Sequence, residues 1–416
     1  MLGALASAFR VADLRKKIIY TALLLAVFRI GSFIPVPGVN VARLIETYGE
    51  TGIFQFLDLF SGGALRRFTV FAMGVNPYIT ASIILQLLTI VIPSLEELSR
   101  EGVEGRRKIA QWTRYGTVVL GVIQALGITL GIRGAVEEPG ILPVLLIVTT
   151  LTAGTSFLMW LGEKISEHGI GNGISLIIFT GIIARLPAGA HTTAISIGRG
   201  GVSPLNVVLF LILGVASIVG VIWITLGARR IPVQYAKRVV GRRVYGGQTT
   251  HIPLRVNQAG VIPVIFASSL LAFPLTIAQF VPRLAFLMDW LRGDSIVYMA
   301  VYAVLVVAFT YFYTAITFNV TEVANNMKKY GGFIPGLRPG RPTAEYLDRV
   351  LTRITLVGGL FLAAVAVLPN IMTSITRLST IYFGGTALLI VVGVALDTMK
   401  QVEANLLMRQ YEGFMK

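Results

Sequence analysis

The sequence predicts an all-α membrane protein: ten transmembrane helices in two inverted-repeat halves around a central pore. Three observations carry that reading: the composition, the rhythm of apolar runs and basic loops, and a nine-residue word that occurs twice. Of 416 residues, 55% are hydrophobic and 13% charged, with a mean hydropathy of +0.76, whereas soluble domains carry about 25% charged residues. A soluble enzyme is excluded. At about 20 apolar residues per crossing, the length holds about ten spans with their loops and no large separate domain.

Apolar runs bounded by turn and charge signals place the spans at 18–36, 70–92, 115–132, 141–160, 170–186, 204–226, 257–281, 296–320, 354–375 and 379–398. Arg10, Arg15, Lys16 and Lys17 precede the first span, and no small-residue cleavage site follows it, so it reads as retained. With residues 1–17 inside, the inner segments hold 26 of the 36 Lys and Arg and the outer segments 9, with Arg29 inside span one. Because cytoplasmic loops collect positive charge, both termini are expected in the cytoplasm. The halves are then residues 18–186 and 204–398, joined by an outer connection at 187–203 and followed by a tail at 399–416.

Two inner loops are long. Residues 227–256 alternate basic and β-branched residues around Gly246-Gly247, which predicts a basic β-hairpin. Residues 321–353 carry Gly331-Gly332, Pro335-Gly336, Pro339-Gly340 and Pro342, the punctuation of an irregular, stiff loop. Holding topology needs only charge, so loops of this length suit the docking of a large partner.

The word GVNPYITAS at residues 74–82 returns as GVIPVIFAS at 260–268, with six of nine positions identical. The two copies lie in spans two and seven, which run in opposite directions, as in inverted-topology repeats. Proline near the start of both helices would free backbone carbonyls that lipid cannot satisfy, so both should face the protein interior. Only Arg29 lies clearly inside a run, near the outer end of span one where it can snorkel. Ion-coupled transporters and intramembrane proteases keep ionisable groups at mid-membrane depth, so a pore closed by apolar side chains fits better. The absence of cysteine and the wide separation of His168, His191 and His251 suggest no metal site.

Residues 51–65, TGIFQFLDLFSGGAL, are too short and polar to span and too apolar for an ordinary loop. Ile53, Phe54, Leu57 and Phe60 fall near helical spacing, and Gly62-Gly63 supplies a hinge. A re-entrant segment in a cavity and an interfacial amphipathic helix both fit.

FSGGALRRFTVFAMGVNPYITASIILQLL, GEKISEHGIGNGISLIIFTGIIA, NQAGVIPVIFASSLLAFP, GGFIPGLRPGRPTAEYLDRV and IYFGGTALLIVVGVALD stand in the order and spacing of one family. The chain resembles SecY, the channel subunit of the bacterial protein translocase, over its whole length. The resemblance implies a channel in the bacterial cytoplasmic membrane that passes unfolded secretory polypeptides across and releases apolar segments sideways into lipid. It implies a waist of aliphatic side chains at Val75, Ile79, Ile178, Ile182, Ile265 and Ile390. It also implies a plug over 52–66, including Ile53, Phe54, Leu57, Asp58, Phe60, Ser61, Gly62 and Gly63. A lateral gate would run between spans two and three and spans seven and eight, with Gln86 and Asn257 on its sides; each residue could equally bond within its own half.

By the same resemblance, the SecA motor or a ribosome docks on the two long loops, at Lys237, Arg238, Arg242, Arg243, Arg255, Arg338 and Arg341. Lys328 and Lys329 add to that charge. Small single-span partners of the SecE and SecG type are implied as well. The chain has no phosphate-binding loop, so nucleotide hydrolysis would belong to a partner, and neither enzyme activity nor a cofactor is expected. A secondary transporter of small solutes is the alternative that the inverted repeat alone permits, and an inert scaffold is a third.

Overall fold

The computed structural model describes residues 9, 11–48, 61–138, 140–199, 203–235, 238–240, 243–245, 249–280, 290, 295–376 and 385–414. Helices stand at each expected span: Ala12–Gly31, Asn76–Val91, Val103–Gly131, Ile141–His168, Gly173–Ile183, Pro204–Leu226, Ile262–Phe280, Ile296–Thr317, Arg341–Thr376 and Gly385–Phe414. Among the described residues, six helices cross a bilayer by length and composition alone, or seven if Asn76–Val91 and Pro93–Arg100, bent by 102°, form one span. The first helix falls short because Asp13, Arg15, Lys16, Lys17 and Arg29 charge it. The tenth runs past its apolar part through Asp397, Lys400 and Glu403.

Several bounds differ from the expectation. The third helix starts at Val103, ahead of the expected 115, and the fourth and tenth run on to His168 and Phe414, past the expected 160 and 398. The second helix starts at Asn76, after a run of turns through 62–75, and not at residue 70. The ninth starts at Arg341, well inside the loop expected over 321–353, because Pro342 sits in its first turn, where a missing N–H costs nothing. Most of the connection at 187–203 is the helix Leu186–Gly198, which follows directly on span five.

The first long loop is a hairpin. Strand β1 (Ala228–Tyr235) pairs antiparallel with β4 (Thr249–Arg255), from Ala228 opposite Arg255 to Gln234 opposite Thr249. Between them β2 (Arg238–Val240) pairs with β3 (Arg243–Tyr245), Val240 opposite Arg243. The β2–β3 pair thus lies wholly ahead of Gly246-Gly247. The second long loop adds β5 (Gly332–Phe333) to the free edge of β1. Ile231 and Val233 from β1 are buried with Leu254, Met327, Ile334, Leu347, Val350 and Leu351. The two loops thus share one apolar core and form one body.

The halves meet along two seams: span seven against spans two and three, and span five against span ten. Between the seams lies the central core.

Candidate pore constriction, plug root and gate

Both copies of the repeated word build the same turn. Gly74 and Gly260 have φ of 59° and 64°, the left-handed region open to glycine. Each is followed by a valine and a helix whose second residue is proline, Pro77 or Pro263. The Ile79 N–H donates to the Val75 carbonyl at 3.0 Å, and the Ile265 N–H to the Val261 carbonyl at 3.2 Å. Pro77 and Pro263 stand in the first turns of their helices, so these two prolines free no carbonyl in mid-span, contrary to the expectation from the sequence.

Val75, Ile79, Ile178, Ile182, Ile265 and Ile390 lie in one buried cluster contributed by spans two, five, seven and ten, each 0–6% exposed. Val261, which the sequence reading passed over, belongs to the same cluster and packs on Gly393 of span ten. The signal was present, because Val261 is the repeat partner of Val75. Packed aliphatic side chains exclude water and make no directional bonds, so together they can bar ions by dewetting.

Against this cluster sits the turn at Ser61, Gly62 and Gly63. Ser61 is buried, and its Oγ accepts from the Leu65 N–H at 3.1 Å. Gly62 abuts Gly181, between Ile178 and Ile182: a Cβ added there would be 2.6 Å from the Gly181 Cα. Arg29 does not reach only for the surface, as expected, since its Nη1 donates to the Gly62 carbonyl at 3.4 Å. Its guanidinium and that of Arg67 both lie over the Phe33 ring. Ile53, Phe54, Leu57, Asp58 and Phe60 lie outside the described residues.

At the seam of spans two and seven, Gln86 takes the local option: its Nε2 donates to Ser82 Oγ, one turn back, at 3.4 Å. Asn257 is buried, and among the described residues its Oδ1 has no hydrogen-bond partner. The structure therefore does not join the two residues across the seam, along which span seven packs on spans two and three.

Of the basic residues, Lys237 and Arg242 lie outside the described residues. Arg238 and Arg243 occupy opposite strands of the β2–β3 pair. Arg255 is exposed at the base of the hairpin. Burial, and next to it Arg255, holds the Lys400 ammonium below the ordinary lysine value. Arg338 is exposed between Gly336 and Gly340, both left-handed, and its carbonyl accepts from Thr343 Oγ1 at 2.8 Å. Arg341 pairs with Glu345 at 3.0 Å on an exposed face, an interaction worth at most about 1 kcal/mol. Asp397, near the end of span ten, places its carboxylate beside the Gly260 turn and was also missed.

Ten span helices in two halves, with an aliphatic cluster shared between them and a glycine turn wedged against it, define a channel-forming membrane protein. The sequence profile of the SecY family matches residues 69–399. Protein translocase subunit SecY of Halalkalibacterium halodurans is 52% identical over 432 residues, covering 100% of both chains. In fold, the chain is similar to a SecY protein described for a plug domain that stabilises the closed translocation channel, with TM-score 0.67, 20% identity and 93% and 91% of the two chains covered. It is also similar to canine Sec61 in a ribosome–channel complex, with TM-score 0.63, 19% identity and the same coverage. The chain belongs to the SecY family.

Proposed function

We propose that the chain is the protein-conducting subunit of a bacterial translocase, passing unfolded secretory polypeptides through its centre and releasing apolar segments laterally into lipid. The observation that carries this reading is the aliphatic cluster shared by four helices of both halves. Such a gasket suits any polypeptide sequence, because it asks for no particular hydrogen bond. A transporter of small solutes would need polar groups at this place, and the cluster is wholly apolar.

In this reading Val75, Ile79, Ile178, Ile182, Ile265 and Ile390, with Val261, form the waist, and residues 52–66 form the plug rooted at Gly62. The seam of spans two and three with seven and eight is the lateral gate. The hairpin and the loop before span nine face the cytoplasm, as do both termini, and their arginines dock the SecA motor or the ribosome. Partners of the SecE and SecG type brace the channel, and hydrolysis of nucleotide stays with the motor. The residence is the bacterial cytoplasmic membrane, on the strength of the family and the charge asymmetry.

Planar-bilayer conductance tests the reading. Ile79, Ile182 and Ile265 replaced together by Ser should give a channel that leaks ions at rest and accepts substrates with weak signal sequences. A variant as tight and as selective as the unmodified channel would remove the waist from these residues. Reversal of charge at Arg338 should impair motor-driven export, and unchanged SecA-dependent transport would leave Arg338 a topology charge only.

A further inference from the structure

At the foot of the hairpin, a groove of about 450 Å³ lies between β1 and the ninth helix. Arg229 reaches it from β1, and Arg349 and Arg353 from the helix. All three are exposed, and among the described residues none of their side chains makes a hydrogen bond or ion pair. Glu345 and Asp348 share an adjoining cleft with Arg349 and Arg353, but Glu345 is engaged by Arg341. Arg349 and Arg353 stand four residues apart on one helix, a spacing at which like charges repel. Asp348 is the nearest unengaged carboxylate, and among the described residues it forms no salt bridge with either arginine.

The rest of the groove is Tyr346 and an apolar wall of Val256, Val350, Ile354 and Val357. Beyond Arg353 the ninth helix carries no charged residue and is mostly apolar, and Val357 and Leu360 are exposed on it. So are Trp223 and Leu226, at the end of span six that leads into Arg229. The groove thus lies where the charged loops meet a surface suited to lipid, cationic on one side and apolar on the other.

We propose that this groove binds an anionic phospholipid, with the headgroup phosphate between Arg229, Arg349 and Arg353 and the upper acyl chains on Val256, Ile354 and Val357. Guanidinium forks match phosphate oxygens, and basic pockets at the ends of membrane helices suit anionic headgroups. Free phosphate shares the charge but has no use for the apolar wall. A lipid held there would bridge β1 to the ninth helix and so tie the hairpin to the membrane.

Native mass spectrometry of the full chain, released from nanodiscs of equal phosphatidylcholine and phosphatidylglycerol, tests the site. The unmodified protein should retain phosphatidylglycerol preferentially. The Arg229→Gln/Arg349→Gln/Arg353→Gln variant should retain at least about tenfold less of it, as expected for removing basic residues from an anionic surface. Phosphatidylcholine retention and thermal melting should not change, which separates loss of the site from loss of the fold. An Arg→Lys version of the triple variant, which keeps the charge without the fork, should retain an intermediate amount. Equal phosphatidylglycerol on unmodified and Gln proteins would overturn the proposal. Displacement of the lipid by millimolar inorganic phosphate would overturn it too, by making the groove a free-anion site.

Discussion

At Gly62 an added Cβ would meet the backbone of Gly181, whereas at Gly63 it would meet nothing within 4 Å. Both residues have positive φ, so alanine at either pays the left-handed penalty of about 1–2 kcal/mol. Only at Gly62 is overpacking added, against backbone that cannot rotate away, at about 1–3 kcal/mol more. Gly62→Ala should therefore lower thermal stability in detergent more than Gly63→Ala; equal losses would detach this turn from span five. Val261 gives a second test at the same scale. Val75→Ser and Val261→Ser should raise resting conductance alike, and a leak from Val75→Ser alone would confine the waist to the six residues that the family resemblance supplies. The sequence could show the matched valines, but not that Phe68, fully buried, adopts φ of 45°. A strained residue depends on its surroundings and leaves no pattern in its neighbours.

Among elements, the hairpin was legible because Ile231 and Val233 alternate with exposed residues along β1. Strand β5 was not, since two residues carry no period. The start of the ninth helix was misread for a related reason: Gly340 and Pro342 punctuate loops, yet here glycine at φ of 106° ends the turn and proline begins the helix. Because both loops share one core, Ile231→Ala should loosen both, at a cost of about 2–5 kcal/mol. Limited proteolysis should then cut near residues 331–340 as readily as in the hairpin, and cutting confined to the hairpin would mean two independent loops. At the gate seam, Gln86 bonds to Ser82 in its own helix. Gln86→Leu should leave the signal-sequence requirement intact, and a relaxed requirement would indicate a cross-seam bond in place of the local one to Ser82.

For the whole molecule, span order, charge asymmetry and the repeat were readable because each depends on composition along the chain. Which helices touch was not. Lipid-facing and core-facing side chains are both apolar: in Pro204–Leu226, Phe210 and Val221 are buried while Leu211 and Ile212 are exposed. An amphipathic signal therefore carries little information here, and only the repeated word pointed to the centre. It did so because Gly74 and Gly260 open equivalent turns whose isoleucines, Ile79 and Ile265, meet in one cluster.

The most direct measurement uses the absence of cysteine from the chain. A single cysteine is placed at Ile79 or Ile265, a preprotein with its own single cysteine is stalled midway through translocation, and a disulfide between the two is sought. A crosslink that forms only during translocation is the predicted result, because the polypeptide must pass the aliphatic waist. A variant that translocates normally and gives no crosslink at either position would contradict this account and move the path away from the cluster.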